Sequence, residues 1–557
     1  MNLRQNEKGN NKRYRKMSTR NKRTVITVVR KVVFAGIILL AVWLILLLLK
    51  VRFPLARLNL TTNLMPANSP SSIIGQNLGA TLGTIAVVGL MSLVTAGILL
   101  FIGILIGRLT KSPGWLVKVR EVLRLVLISA GASIMVFVMG AIFLFYFSRL
   151  QPQPSHSNII FWSAFFCSMP LAWLLVQTGH GILTNQTENI SGLEQIWHVG
   201  MGLFIRLLKL IGLVIVITIF AVHLTSQPGL SKELINSLGQ FNYPVVFGIT
   251  WVFVVITVVV KLIAELTEIA YRYFTQQTTL IEPVSEKPIV KYGIPQGWLI
   301  FSFVLCAFII FLAVFGPLLA PNGNQISLLN ILQSPSAKHL LGTDDLGRDI
   351  LGRLLAGIRT DLLIGLACAV VVSVIAGGWA MLAAYCRRMD SWLGDTLEDI
   401  VLLPRDIICG FPWLVLLLLL MLLLDDHSIT YVALNVGLVM LPHTVGMIQE
   451  GYRSTRNGKT WLKNVLRSIP VIFIFTTAGV ILYVSTINYM GFGTSPGIAE
   501  LGMLVNTGNA YAQQAPWLVL RPIIILSVIL LIWVMTGEAL LERLGFRSKA
   551  VWSKTME

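Results

Sequence analysis

Long apolar runs separated by short polar stretches set the pattern of this chain. A helix that crosses a bilayer needs about 20 mainly apolar residues, and about twelve runs reach that length. In the first half they fall near 32–50, 82–107, 122–147, 159–179, 203–223 and 244–268. In the second half they fall near 298–320, 362–385, 407–424, 429–448, 469–489 and 518–540. This predicts an all-α polytopic membrane protein with about twelve transmembrane helices in two six-helix bundles. Between the sixth and seventh runs, Tyr271 to Gln296 is polar and carries Pro283, Pro288 and Pro295, so it cannot span. The expected organisation is a basic segment 1–31, a first bundle 32–270, a linker 271–297, a second bundle 298–545 and a tail 546–557.

Composition agrees. The 557 residues are 55% hydrophobic and 12% charged, against roughly 25% charged in soluble domains. Mean hydropathy is +0.77. The net charge of +19 sits on this apolar background, which points to basic loops facing anionic lipid headgroups and away from nucleic acid. Basic residues cluster in 1–31, at Arg108–Lys111, Lys118–Arg124, Arg387–Arg388, Arg453–Arg467 and Arg543–Lys554. Under the positive-inside rule these are cytoplasmic, which places both termini and the linker inside a bacterial cytoplasmic (inner) membrane. The first apolar run has no small-residue cleavage site after it and is expected to be retained. One exterior segment departs from the rule: Lys338, Arg348, Arg353 and Arg359 are interleaved with Asp344, Asp345, Asp349 and Asp361, so the local charge nearly cancels.

Candidate chemistry is sparse. The five cysteines lie in or beside apolar runs without metal spacing and read as small buried residues. Asn457-Gly458-Lys459-Thr460 has the tail of a phosphate loop, but Arg453 stands where that loop needs its first glycine. No nucleotide-hydrolysing domain, catalytic residue, metal site or bound cofactor is expected. His443 and Pro442 lie within the tenth run, where a histidine pairs with a neighbouring helix or relays protons.

The stretch from His339 to Arg359 joins a charged, glycine-punctuated loop to the eighth run. Gly342 and Gly347 permit tight turns, and Asp344, Asp345 and Asp349 can cap a helix or pair with Arg348 and Arg353. It reads as an amphipathic element at the exterior interface. The block Gly342-Thr343-Asp344, Gly347-Arg348-Asp349, Arg353, Gly357 and Arg359 resembles a signature of the C-type subunit of dipeptide/oligopeptide (Dpp/Opp-type) ATP-binding-cassette importer permeases. Asp406 with Phe411-Pro412 is similar to a second block of that family. Gly491, Gly493, Gly502, Pro516 and Trp517 are similar to a third. In the first half, Ala80-Thr81-Leu82, Pro228-Gly229-Leu230 and Tyr243-Pro244 with Gly248 resemble the B-type partner. The chain thus looks like a fusion of the two permease halves.

The resemblance implies a translocation path for peptides or a similar small solute. It implies two separate ATPase subunits carrying ATP and Mg, and an extracellular or periplasmic solute-binding protein. It also implies a cytoplasmic loop that receives the motor's stroke. Here that loop is Glu450 to Pro470, with Arg453, Gly458, Lys459, Lys463 and Arg467; the paired alanines of the family are absent. The competing classes are a twelve-helix secondary transporter and a non-transporting scaffold derived from a permease. Few acids lie inside the runs; Glu265 and Glu268 sit near the end of the sixth, which disfavours ion-gradient coupling.

Overall fold

A computed structural model describes residues 28–49, 70–109, 192–225, 228–275, 296–320, 323–387, 392–424, 428–453, 461–494 and 497–544. Among them the fold is helical, with one isolated bridge between Thr343 and Asp349. Eight helices are long and apolar enough to cross a membrane, or ten if two bent pairs each count as one span. The runs expected at 122–147 and 159–179 lie outside the described residues.

The helices are α1 (Val28–Leu49), α2 (Pro70–Leu109), α3 (Gly192–Lys209), α4 (Ile211–Thr225), α5 (Leu230–Gly239), α6 (Tyr243–Thr275) and α7 (Gln296–Leu319). They continue as α8 (Ile350–Arg387), α9 (Trp392–Ile408), α10 (Trp413–Leu424), α11 (Ile429–Arg453), α12 (Trp461–Tyr489), α13 (Leu501–Asn509) and α14 (Trp517–Arg543). Two expected straight spans are bent. The run at 203–223 is α3 and α4, which meet at 64°, because α3 is amphipathic and ends in Arg206 and Lys209. The run at 407–424 is the end of α9 plus the 12-residue α10, which meet at 76° across Cys409-Gly410-Phe411-Pro412. Pro412 supplies no backbone N–H at this break.

The packing repeats. The contacts of α4 with α2 and α6, and of α5 with α2, α4 and α6, recur as those of α12 with α8 and α14, and of α13 with α8, α12 and α14, while α2 also touches α6. In each set a short helix, α5 or α13, is wedged against a long one, α2 or α8. The repeat extends to single atoms. Thr81 and Asp361 are each the twelfth residue of their long helix, and Leu230 and Leu501 are each the first of their short helix. Leu230 N–H donates to Thr81 Oγ1 at 2.8 Å, and Leu501 N–H points at Asp361 Oδ2 at 3.4 Å. Both bonds satisfy a helix-start amide that has no intrahelical partner.

One apolar core runs through both sets. α10 packs on α4 and α6, and the Phe220 ring of α4 stacks on Tyr489 at the end of α12, with centroids 6.5 Å apart. Buried hydroxyls are satisfied locally, as where Thr218 and Thr257 donate to the carbonyls four residues back. The surface of α7 is apolar and exposed at Phe303, Phe308, Phe311, Phe315, Leu318 and Leu319, as a lipid-facing helix requires.

Candidate functional site

Two polar regions interrupt the apolar body. The first is the loop that leads into α8. Asp344 organises it: Oδ1 accepts the backbone N–H groups of Leu346 (3.0 Å) and Arg348 (2.8 Å). Its Oδ2 accepts Arg348 Nε at 2.7 Å and Arg353 Nη1 at 2.6 Å. The Arg353 side chain is 2% exposed, so its charge is neutralised inside the protein by one carboxylate. Asp349 caps α8, accepting Gly352 N–H at 3.0 Å through Oδ1 while Oδ2 lies 2.9 Å from His339 Nδ1. Thr343 Oγ1 accepts Gln333 N–H at 2.8 Å and donates to the Asn330 carbonyl. Gly342 (φ +75°) and Gly347 (φ +70°) take left-handed turns, and a Cβ on Gly347 would overlap the Ser327 carbonyl.

The expected amphipathic element is not separate from the span. α8 starts at Ile350 and runs unbroken for 38 residues, about 57 Å, which is longer than a hydrocarbon core of about 30 Å. Arg353 and Gly357 are buried on its first turns, Gly357 against Leu501 of α13, whereas Arg359 is exposed. The third block closes around the same loop. Trp517 lies against Gly342, and Arg521 donates to the Leu341 carbonyl. Pro516 immediately precedes α14. Gly491 turns at φ +83°, and Gly493 and Gly502 leave no room for a Cβ against Asn488 and the Ser485 carbonyl. Glu500 caps α13 through Met503 N–H at 2.8 Å and accepts Ser485 Oγ at 2.9 Å; burial raises its carboxyl pKa above the ordinary value. In the first half, Gly229 precedes α5, and Tyr243 and Pro244 open α6, where a proline lacks no needed N–H. Gly248 faces Ile74 of α2.

The second region is a cavity of about 620 Å³ between helices of the first and second halves of the chain. It is lined by α1, α6, α9, α11, the end of α3 and the break at Cys409-Gly410. Arg30 of α1 pairs with Asp399 of α9, and Lys31 pairs with Glu265 of α6 at 3.1 Å, so adjacent residues tie α1 to both walls. Lys209 pairs with Glu268 at 2.5 Å. Arg405 pairs with Asp406 at 2.6 Å and bonds Gln449, which donates to Glu398 at 3.2 Å. Lys261 donates to the Cys409 carbonyl at 3.3 Å. His443 lines this cavity, within the field of Lys261 and Arg405. A chamber of this volume can hold a small solute.

Of the second block, Asp406 lines the chamber, Phe411 is buried and Pro412 immediately precedes α10. Sequence reasoning missed Arg30, Lys31, Lys209, Lys261 and Arg405 as one group. The available signal was Lys261, a lone cation in the apolar run Thr257–Ala264. Of the loop expected to receive a motor's stroke, Gly458 and Lys459 lie outside the described residues. Glu450 and Arg453 are in the last turn of α11, Lys463 and Arg467 in the first turns of α12, and Pro470 sits exposed within α12.

No protein-family model matches the chain. Individual relatives do. The chain is 25% identical over 299 residues to the dipeptide transport system permease protein DppC of Alkalihalophilus pseudofirmus, covering 48% of this chain and 96% of that one. It is 27% identical over 271 residues to putative peptide transport system permease proteins of Brucella suis and Brucella melitensis, covering 44% of this chain and 88% of theirs. Each relative therefore matches about half of this chain. The chain is an all-α polytopic membrane protein homologous, over about half its length, to bacterial peptide-transport permeases.

Proposed function

We propose that this chain is the complete transmembrane part of an ATP-binding-cassette importer for peptides or a similar small solute, with a B-type half at 32–270 and a C-type half at 298–545. The repeated helix–wedge arrangement, with a solute-sized chamber between helices of the two halves, carries this reading. Similarity to peptide permeases of about half this length supports it.

In this reading the α1 start, Lys261, Arg405 and Gln449 face the cytoplasm, together with both termini and the linker. The 323–349 loop, α5 and α13 face outward, where a solute-binding protein delivers cargo. The chain hydrolyses no ATP itself. Two ATPase subunits, holding ATP and Mg, are supplied by other chains, and one docks on the segment from Glu450 to Pro470. Fusion fixes one copy of each half and makes their pairing intramolecular. Alternating access then requires the ion pairs of α1 with Asp399 and Glu265 to rearrange as the halves move.

The test is affinity purification of the tagged chain from mild detergent, with identification of what co-purifies. Two ATPase subunits are expected, and replacing Gly458, Lys459 and Lys463 should remove them. An intact chain that never carries an ATPase rules the reading out.

A further inference from the structure

The two wedges share a plan and differ in the groups that hold them. In the first half the acceptor for the first amide of α5 is the Thr81 hydroxyl, and Gly229 precedes that helix without a side-chain cap. In the second half both places carry acids: Asp361 stands where Thr81 does, and Glu500 where Gly229 does. Both acids are fully buried, and their carboxyls lie in hydrogen-bonding contact with each other. Glu500 is well supplied with donors. Its Oε1 accepts from Ser485 Oγ and its Oε2 from Met503 N–H, and the Gly502 amide also bonds its carboxyl. Asp361 is poorly supplied: Leu501 N–H approaches its Oδ2 at 3.4 Å, and its Oδ1 has no donor among the described residues.

Two carboxylates in contact in a dry site cannot both stay ionised, so such a pair keeps one proton. Among the described residues, the groups that act on the two carboxyls are each other, the Ser485 hydroxyl of α12 and the amides of Leu501, Gly502 and Met503. No cation relieves the pair: Arg353 of α8 is held by Asp344, Arg359 is exposed, and Arg521 of α14 donates to the Leu341 carbonyl. We propose that Asp361 and Glu500 form a proton-binding site, in which a proton on Asp361 is donated to Glu500 and clamps α13 onto α8. The proton supplies the donor that Asp361 lacks, while Ser485 and the amides at the start of α13 hold the remaining negative charge on Glu500. When the wedge opens, both acids meet water and the proton is bound less tightly. Its stabilisation is therefore complete below the ordinary carboxyl range and is lost as pH rises through the raised Glu500 value. The second-half wedge is locked by acid and released by base, whereas Thr81 gives the first-half wedge nothing to ionise.

The test is hydrogen exchange of the full-length chain in mild detergent, read by mass spectrometry over a series of pH values. Between the ordinary carboxyl range and the raised value, each opening of the second-half wedge releases one proton. Exchange of the α13 amides should therefore gain about tenfold per pH unit over exchange of the α5 amides, which report the pH dependence of exchange itself. Asp361→Asn offers an amide donor in place of the proton, and Asp361→Thr copies the first half. Both should remove the excess, and Asp361→Asn should raise the thermal midpoint at alkaline pH while leaving it unchanged at acid pH. Equal pH dependence of α13 and α5 in the wild type overturns the assignment, and that comparison needs no variant to fold. An excess that survives Asp361→Asn also overturns it. So does a wild-type midpoint lowered by a chelator, with Asp361→Asn destabilised at every pH, which gives the two carboxylates to a metal ion instead.

Discussion

Asp344 is the residue on which the outer loop depends. It accepts from two backbone amides and two arginines, and one of them, Arg353, has no water to fall back on. Removing one partner of a buried pair strands the other charge, which costs about 3–5 kcal/mol. Asp344→Ala should therefore lower the thermal midpoint in detergent strongly. Asp345→Ala, which loses a 3.8 Å contact made by a side chain 30% exposed, should cost under about 1 kcal/mol. Asp344→Ala combined with Arg353→Met should recover part of the loss. Glu500 gives a pH signature. Its carboxyl is raised by burial, so its contribution is full below the ordinary value of 4.5 and is lost as pH rises through the raised value. Glu500→Gln should flatten the fall in stability across that window, measured by melting at a series of pH values. At this scale the sequence was informative where one segment supplies all the partners. The glycine and aspartate spacing from Gly342 to Arg353 announces a turn, a cap and an ion pair, and all three are present.

At the scale of elements, the wedge of α5 on α2 and of α13 on α8 is the repeated unit. Thr81→Val should leave the Leu230 amide without its acceptor and cost about 1–3 kcal/mol, whereas Thr81→Ser should be close to neutral in the same melting assay. The sequence hid two features of this scale. Hydropathy averaged over a span is blind to direction, so 203–223 and 407–424 read as straight helices although each turns sharply. It also placed the start of the eighth span at 362, because the charged turn from Gly352 to Asp361 looked like surface. Arg353 is instead held inside by Asp344, and Asp361 is buried beside Leu501, while Arg359 stays exposed. The chamber was the least legible part. Its cations come from α1, α3, α6 and α9, and nothing local in the sequence says that these four meet.

For the whole molecule, the proposed joining of two permease halves in one chain matters most. Two helix sets with similar wiring share one core, helices of the two halves enclose a chamber, and α1 reaches both of its walls. The measurement that decides the account is uptake into proteoliposomes holding the purified chain with its co-purified subunits. A labelled tripeptide and the solute-binding protein are supplied outside, and ATP is supplied in the lumen. The account predicts accumulation that needs hydrolysable ATP, ceases with a non-hydrolysable analogue and ignores an imposed proton or sodium gradient. Accumulation driven by such a gradient without ATP would contradict it and make the chain a secondary transporter.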